Sequence, residues 1–347
     1  MRAVEFQAAF QFSHIDMKSG FEDKLQMQYG HIPGLEKPVS RLIQGTTMIN
    51  GNQLRASLRL LDDVFELGCT CFDTAHVYGD GEAERTFGNW VQQRGVREKI
   101  VIIGKGGHPK NGRNRVTPAD ISSDLSESLS RLKTDYIDLY LLHRDDPEVP
   151  VGPLIETLNR HLSEGRIKAM GCSNWAHERI QEAHNYAMAH HLHPFVVSSP
   201  HFSLAEQIAA PWPGCVSICG AQGEAARMWY KLNQMPIFAW SSLAGGFFSG
   251  RFTRHNLKSF KNYFDKVCAE TYGSESNFRR LEGASRLAKQ KRVSPVQIAL
   301  AYVLNQPMNV FAIVGSSQGK HFKSNLEAGM INLSKDELNM LELKHIY

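Results

Sequence analysis

The feature that most constrains this chain is an alternation that runs from about residue 39 almost to its end. Short, continuously apolar runs take turns with segments of helical period. The runs cover residues 39–48, the stretch ending at Asp73, then 99–105, 136–143, 167–172, 195–199, 237–241 and 310–314. Continuous apolarity is what strands covered on both faces require. The segments between them carry helix signals. Leu54, Leu58, Leu61, Val64 and Phe65 recur at helical spacing, and Phe87, Trp90 and Val91 form the stripe of the segment 82–93. Thr117-Pro118 and Ser294-Pro295 each pair an N-cap with a proline at the first helical position.

Eight such strand–helix units predict an α/β (β/α)8 TIM barrel. A doubly wound sheet would show the same alternation, but the G-x-G-x-x-G turn that such a sheet uses for a dinucleotide is missing after the first strand. A chain of 347 residues exceeds the roughly 250 of a plain barrel. The excess is expected in an N-terminal extension over residues 1–28, a hairpin plug beginning near residue 27, and extra C-terminal helices over 322–330 and 336–343, with the barrel domain spanning 29–347. Two long connections, 209–223 and 245–277, read as irregular.

In such a barrel the catalytic groups come from the C-terminal ends of the strands and the loops that follow. Here three consecutive strands end in Asp73, Lys105 and His143, and Tyr78 lies just beyond the first. A carboxylate at the end of an apolar strand needs a cation or a polar site, and Lys105 supplies the cation. Tyrosine has a pKa near 10 and is a poor proton carrier at neutral pH unless tuned. Lys105 beside the phenol is expected to lower that pKa while Asp73 keeps the lysine charged, and neutral His143 is expected to donate to a substrate oxygen. The remaining strand ends are rich in small and polar residues: Gly45-Thr46-Thr47, Cys172-Ser173-Asn174, Ser198-Ser199, Trp240-Ser241 and Gly315-Ser316-Ser317.

Composition excludes several function classes. The 39 basic and 35 acidic residues leave a net charge of only +4 with no long basic run, so nucleic acid is not an expected partner. No apolar run reaches the ~20 residues of a membrane span, and Glu5 interrupts what would be a signal peptide's apolar region, so a cytoplasmic protein is expected. Six scattered cysteines show no zinc spacing and read as reduced structural thiols, with Cys69 and Cys71 expected on one strand face. No metal site is expected: Asp73, His76 and His143 could ligate one, but Lys105 in the same ring would repel a divalent cation.

The set formed by Phe72-Asp-Thr-Ala-His-Val-Tyr-Gly79, Lys105, His143, Gly171-Cys-Ser-Asn174 and Ser241-Ser-Leu-Ala-Gly-Gly-Phe-Phe-Ser-Gly250 closely resembles the aldo/keto reductase family, in the family's order and spacing. The resemblance implies an oxidoreductase acting on a small aldehyde or ketone, with Tyr78, Asp73, Lys105 and His143 as the catalytic tetrad and Tyr78 as general acid. It also implies NADPH, or NADH, lying across the barrel mouth. Ser173 and Asn174 match the carboxamide contacts, joined by Ser199, and Phe202 the ring stacked on the nicotinamide. Gly45, Thr46, Thr47, Asp73 and Trp240 fall beside the cofactor, Ser241, Leu243 and Gly245 match the pyrophosphate loop, and Gly315, Ser316, Ser317, Gln318, His321 and Asn325 the adenosine end. Ser198-Ser199 departs from the family's Asn-Gln, and Gly315 and His321 stand where some members carry Lys and Arg for the 2′-phosphate, with Lys320 and Lys323 nearby. The alternative within the same family is a regulatory subunit that binds the cofactor with little or no turnover. Sequence places no constraint on substrate identity or oligomeric state.

Several residues near these motifs have two readings. His76 reads as a wall or turn histidine, His108 as a loop imidazole ahead of a substrate-side group, and His184, His190, His191 and His193 as surface. Trp212 is read equally as a wall of the substrate site or a plug under its loop. Trp175 and Trp240 line the pocket or pack at its rim, and Arg144 and Asp145 bind substrate or pair with each other.

Overall fold

The computed structural model describes residues 25–344. Most of the expected extension over 1–28 therefore lies outside the described residues. A short antiparallel hairpin comes first, β1 (Tyr29–Gly30) with β2 (Val39–Ser40). Eight parallel strands then close on themselves in chain order: β3 (Leu42–Gly45), β4 (Cys71–Asp73), β5 (Val101–Gly106), β6 (Ile137–Leu142), β7 (Ile167–Ser173), β8 (Ser198–Ser199), β9 (Ile237–Ala239) and β10 (Val310–Val314), which pairs back to β3. This is the (β/α)8 barrel.

Helices α1 (Leu54–Glu66), α2 (Glu82–Arg94), α3 (Pro118–Leu132), α4 (Val151–Ser163), α5 (His177–Ala189) and α6 (Glu224–Asn233) follow the first strands in turn. The second long connection is less irregular than its sequence suggests: it holds α7 (Tyr263–Tyr272), whose N-cap Asn262 accepts from the Asp265 amide. Then come α8 (Glu275–Lys291), α9 (Pro295–Leu304), α10 (Gly319–Ala328) and α11 (Lys335–Leu341). The Thr117 cap and a full Ser294/Gln297 capping box start α3 and α9 where the sequence places them.

Strand alternation sorts side chains into two cores. One faces the barrel interior and includes Ile43, Cys71, Val101, Ile103, Leu139, Leu141, Phe238 and Phe311. The other lies between strands and helices, where Phe72 packs on Phe87 at 5.2 Å and on Trp90 at 5.4 Å between ring centroids. Such aromatic pairs add about 0.5–1.5 kcal/mol beyond the area they bury. Cys69 belongs to this outer core and Cys71 to the inner one, so the two do not share a face. The regular strand begins only at Cys71, and alternation does not reach back to Cys69.

The interior is plugged from below. Ile32, Leu35 and Val39 of the hairpin join the inner core, and Lys37 fixes the plug by donating to Asp138 Oδ1 (3.0 Å), Ile100 O (3.0 Å) and Arg97 O (3.2 Å). Above, the same period of two that points Cys71, Ile103 and Leu141 inward points the next residues on that face inward as well. Those residues are Asp73, Lys105 and His143.

Helices α2 and α3 approach closely at Gly88, where a Cβ would lie 2.7 Å from Arg131 O and from the Leu132 backbone. Backbone atoms cannot step aside. Gly88→Ala is therefore expected to destabilise the fold by about 1 kcal/mol or more in urea unfolding, although alanine is the better helix former by about the same amount. A variant more stable than the parent would show that this contact has room.

Candidate active site

Lys105 is the centre of the cluster. Its ammonium is buried and donates to Asp73 Oδ1 at 2.6 Å and to Thr74 O at 2.7 Å. Burial alone would lower the lysine's pKa, but Asp73 and Tyr78 outweigh it and the value is raised, so the group is charged at neutral pH. Burial pushes the Asp73 carboxyl up against the pull of Lys105. The ammonium stands 4.9 Å from the centre of the Tyr78 ring.

Tyr78 is carried by a loop that the chain anchors at several points. The His76 amide donates to Lys105 O at 2.9 Å, which extends the β4–β5 pairing past the strand end. Behind it, Arg131 donates to His76 O (3.1 Å), Glu84 Oε2 (3.2 Å) and Glu127 Oε2 (2.6 Å), and Glu127 also meets His76 Nε2 at 2.9 Å. His76 is thus a satisfied turn residue. After Tyr78, Gly79, Asp80 and Gly81 all take positive φ, which turns the chain sharply into α2.

The phenol differs from expectation in one respect. Burial raises the Tyr78 pKa above its ordinary value, and the attraction of Lys105 offsets only part of that rise. The expected lowering rested on the attraction of Lys105 alone, and here burial outweighs it. The group is therefore a protonated donor across the neutral range. His143 lies edge-on to it, 5.8 Å between ring centroids. Burial first, then the charges of Lys105 and Arg144, push the His143 pKa well below the usual imidazole range, so the ring is neutral. Its Nδ1 is buried without a partner.

Next to His143 the rim is a polar chain. Asn174, at φ 60°, donates to His143 O (3.3 Å) and Ser173 Oγ (3.0 Å), and its Oδ1 accepts from Trp240 Nε1 (3.1 Å) and the Val216 amide (3.1 Å). Ser173 donates to Ser199 O at 2.9 Å. Ser199 itself is fully buried and spends its hydroxyl on Phe238 O, which leaves it no free donor at the mouth. Phe202 is also fully buried, its ring 6.0 Å from that of Tyr302 in the outer core. It offers no face to a ligand, and the expectation for Phe202 is corrected. Trp240, which directly follows β9, is half-buried and stands 6.3 Å from Trp212 and 4.9 Å from His201.

The neighbouring loops form a cradle. Ser241, Ala244, Gly245 and Gly246 all have positive φ, and Ser242 ties the segment to β10 by donating to Ile313 O at 2.7 Å. Leu243 is half-buried and Gly245 exposed. After β10, Gly315, Ser317 and Gln318 are exposed, Gln318 occupies the N-cap position of α10, and Ser316 is buried with its hydroxyl accepting from Asn325. His321 is exposed beside Ser317, at 3.2 Å from its hydroxyl. Gln44, which the sequence reading passed over, bridges Gly45 O (2.8 Å) and Ser316 O (3.1 Å) and leaves its Oε1 buried without a partner. Thr46 likewise buries an unpartnered hydroxyl, and Thr47 is exposed.

Comparison with known proteins now decides the family. The aldo/keto reductase family profile matches residues 41–345. The chain belongs to the aldo/keto reductase family. It is 30% identical to "Probable aldo-keto reductase 1" of Glycine max over 82% of this chain and 78% of that protein. It is 28% identical to "Aldo-keto reductase yakc [NADP(+)]" of Schizosaccharomyces pombe over 80% of this chain and 79% of that one. In fold it resembles a solved Klebsiella pneumoniae aldo-keto reductase in complex with NADPH, with a TM-score of 0.68 and 24% identity over 91% of this chain and 94% of that one. As a member of an oxidoreductase family, this aldo/keto reductase has the four groups named from its sequence at one rim of its barrel.

Other residues settle as follows. Trp175 is buried against Phe195 and donates to Arg144 O, so it is rim packing. Arg144 does not pair with Asp145, which meets Arg179 at 3.4 Å. It is buried and donates to His143 O, Pro213 O and Cys215 Sγ, which clamps the Trp212 loop onto the rim. Trp212 donates to the Tyr263 hydroxyl at 2.8 Å. His184 is half-buried and contacts Phe195 O, whereas His190, His191 and His193 are exposed. His108, expected as a loop imidazole, packs against His143.

Breaking the buried pair from one side leaves a charge without its partner. Asp73→Asn is expected to lower unfolding stability in urea by about 3 kcal/mol or more, and adding Lys105→Met should recover much of that loss. Equal stability of Asp73→Asn and parent would mean that the pair is not held as seen.

Proposed function

We propose that this aldo/keto reductase is an NADPH-dependent carbonyl reductase in which Tyr78 protonates the oxygen of an aldehyde or ketone. The observation that carries the reading is the ammonium of Lys105, locked by Asp73 at 2.6 Å, lying against the ring of a phenol that stays protonated. A carbonyl oxygen placed between Tyr78 and neutral His143 would meet two hydrogen-bond donors as negative charge develops on it. As the proton leaves Tyr78, the phenolate gains the full attraction of Lys105, and that charge cannot drift because Asp73 and Thr74 O hold it.

The residues present fit a dinucleotide. Buried, unpartnered oxygens lie on Gln44 and Thr46 at the end of β3, positive φ at Ser241, Ala244, Gly245 and Gly246 bends the loop after β9, and Gln318 stands at the N-terminus of α10. In place of Phe202, half-buried Trp240 is the ring assigned to the nicotinamide. When bound, the cofactor would supply the hydride, which no side chain can give. Exposed Lys320 and Lys323 beside His321 supply positive charge suited to a 2′-phosphate. NADPH over NADH is also supported by the NADP(+) in one relative's name and the NADPH in the Klebsiella structure.

Tyr78→Phe is expected to bind NADPH, seen as a change in its fluorescence, and to lose at least about a hundredfold in kcat for aldehyde reduction. A parent-like rate would remove Tyr78 from the acid role. NADPH binding by the parent without oxidation across a panel of aldehydes and ketones would favour the regulatory-subunit reading. Because the Tyr78 pKa is raised, the donor stays protonated throughout the neutral range and the rate should fall only as its proton is lost. The reduction rate is therefore expected to show no phenol-dependent fall below about pH 10. A decline centred near pH 8 and abolished in Tyr78→Phe would show that Lys105 wins over burial instead.

A further inference from the structure

The mouth holds one imidazole that the proposed reaction does not use. His108 lies two residues past the end of β5, half-buried, with its ring edge-on to His143 at 4.9 Å between centroids. His143 is in turn 5.8 Å from Tyr78. The three rings form one continuous wall.

The protonation of His108 is set by its own backbone. Its Nδ1 lies 2.9 Å from Pro109 O. A carbonyl oxygen only accepts, so Nδ1 carries the hydrogen. Burial pushes the ring's pKa below the ordinary imidazole value, which keeps it neutral at neutral pH and leaves Nε2 as a bare lone pair. No described residue donates to that nitrogen, and it is absent from the atoms sealed away without a partner, so it is accessible on a ring that packs against His143.

Tyr78 donates at this wall, as does His143 through one of its nitrogens. His108 Nε2 is an acceptor beside them. A substrate carbonyl takes the donors and has nothing to give the acceptor. A hydroxyl on the adjacent carbon does.

We propose that His108 is a specificity-determining residue whose Nε2 accepts a hydrogen bond from a hydroxyl next to the substrate carbonyl, so that this protein prefers hydroxylated aldehydes and ketones to unsubstituted ones. The proposal rests on the carbonyl-reductase reading. An apolar ring at 108 would offer only a face, and a site built to bond a hydroxyl discriminates against the analogue that lacks it.

The test compares DL-glyceraldehyde with propanal, which share a three-carbon chain and differ by two hydroxyls, with NADPH and the full-length chain. The parent is expected to show a kcat/KM ratio favouring glyceraldehyde by roughly tenfold to a hundredfold. His108→Phe should bring that ratio down about tenfold or more, chiefly through KM for glyceraldehyde, and His108→Gln, which keeps an acceptor oxygen, should retain most of the preference. A parent ratio near one, or a His108→Phe ratio within twofold of the parent's, overturns the proposal while leaving the reductase reading intact. If the parent reduces neither aldehyde nor any other carbonyl, both fail together.

Discussion

A single buried ion pair sets the terms for the upper end of this barrel. Lys105 and Asp73 lie on neighbouring strands, both pointing inward, and neither group could be left there alone: taking one charge out of water without the other costs several kcal/mol. The pair therefore fixes the alignment of β4 and β5, and the second acceptor of Lys105, Thr74 O, fixes the first residue of the following loop. Everything that follows at the rim is placed relative to that point. Tyr78 is reached by a loop tied to Lys105 O through the His76 amide, and His143 arrives on the next strand, its own amide on Gly106 O.

Much of this was legible because a strand has a period of two. Once Val101, Ile103, Leu139 and Leu141 are taken as interior, Lys105 and His143 must point the same way just above them. Helix starts such as Thr117-Pro118 and Ser294-Pro295 were equally plain, because a cap is a local event. What escaped has a physical reason in each case. Phe202 follows Ser199 closely, but only the fold decides whether a residue past a two-residue strand turns to the mouth or into the helical layer, and here it turns to Tyr302. Cys69 lies too far below its strand for alternation to apply. Helix α7 is only ten residues long and starts with Tyr263 and Phe264 exposed, so its apolar stripe is weak. The direction of the Tyr78 shift needed burial, a quantity that spacing along a chain does not carry.

His108 and Arg144 illustrate a further limit. Both stand within two residues of a strand end that the sequence marks, yet their partners come from distant segments: His143 for the first, Pro213 and Cys215 for the second. The long connection after β8 is irregular in sequence and ordered in place by these contacts. A guanidinium that meets no carboxylate among the described residues serves here as a clamp on carbonyl oxygens. The aromatic surface at Trp212 and Trp240 depends on that clamp, since Trp212 is carried by the segment Arg144 holds.

The hairpin that stoppers the lower end gives the molecule one-sided traffic. Among the described residues, Ile32, Leu35 and Val39 are wedged with the inner side chains and fill the lower end of the cylinder. Whatever reaches the four groups must retreat by the same doorway, and anything seated deeper waits for whatever lies nearer the outside to depart.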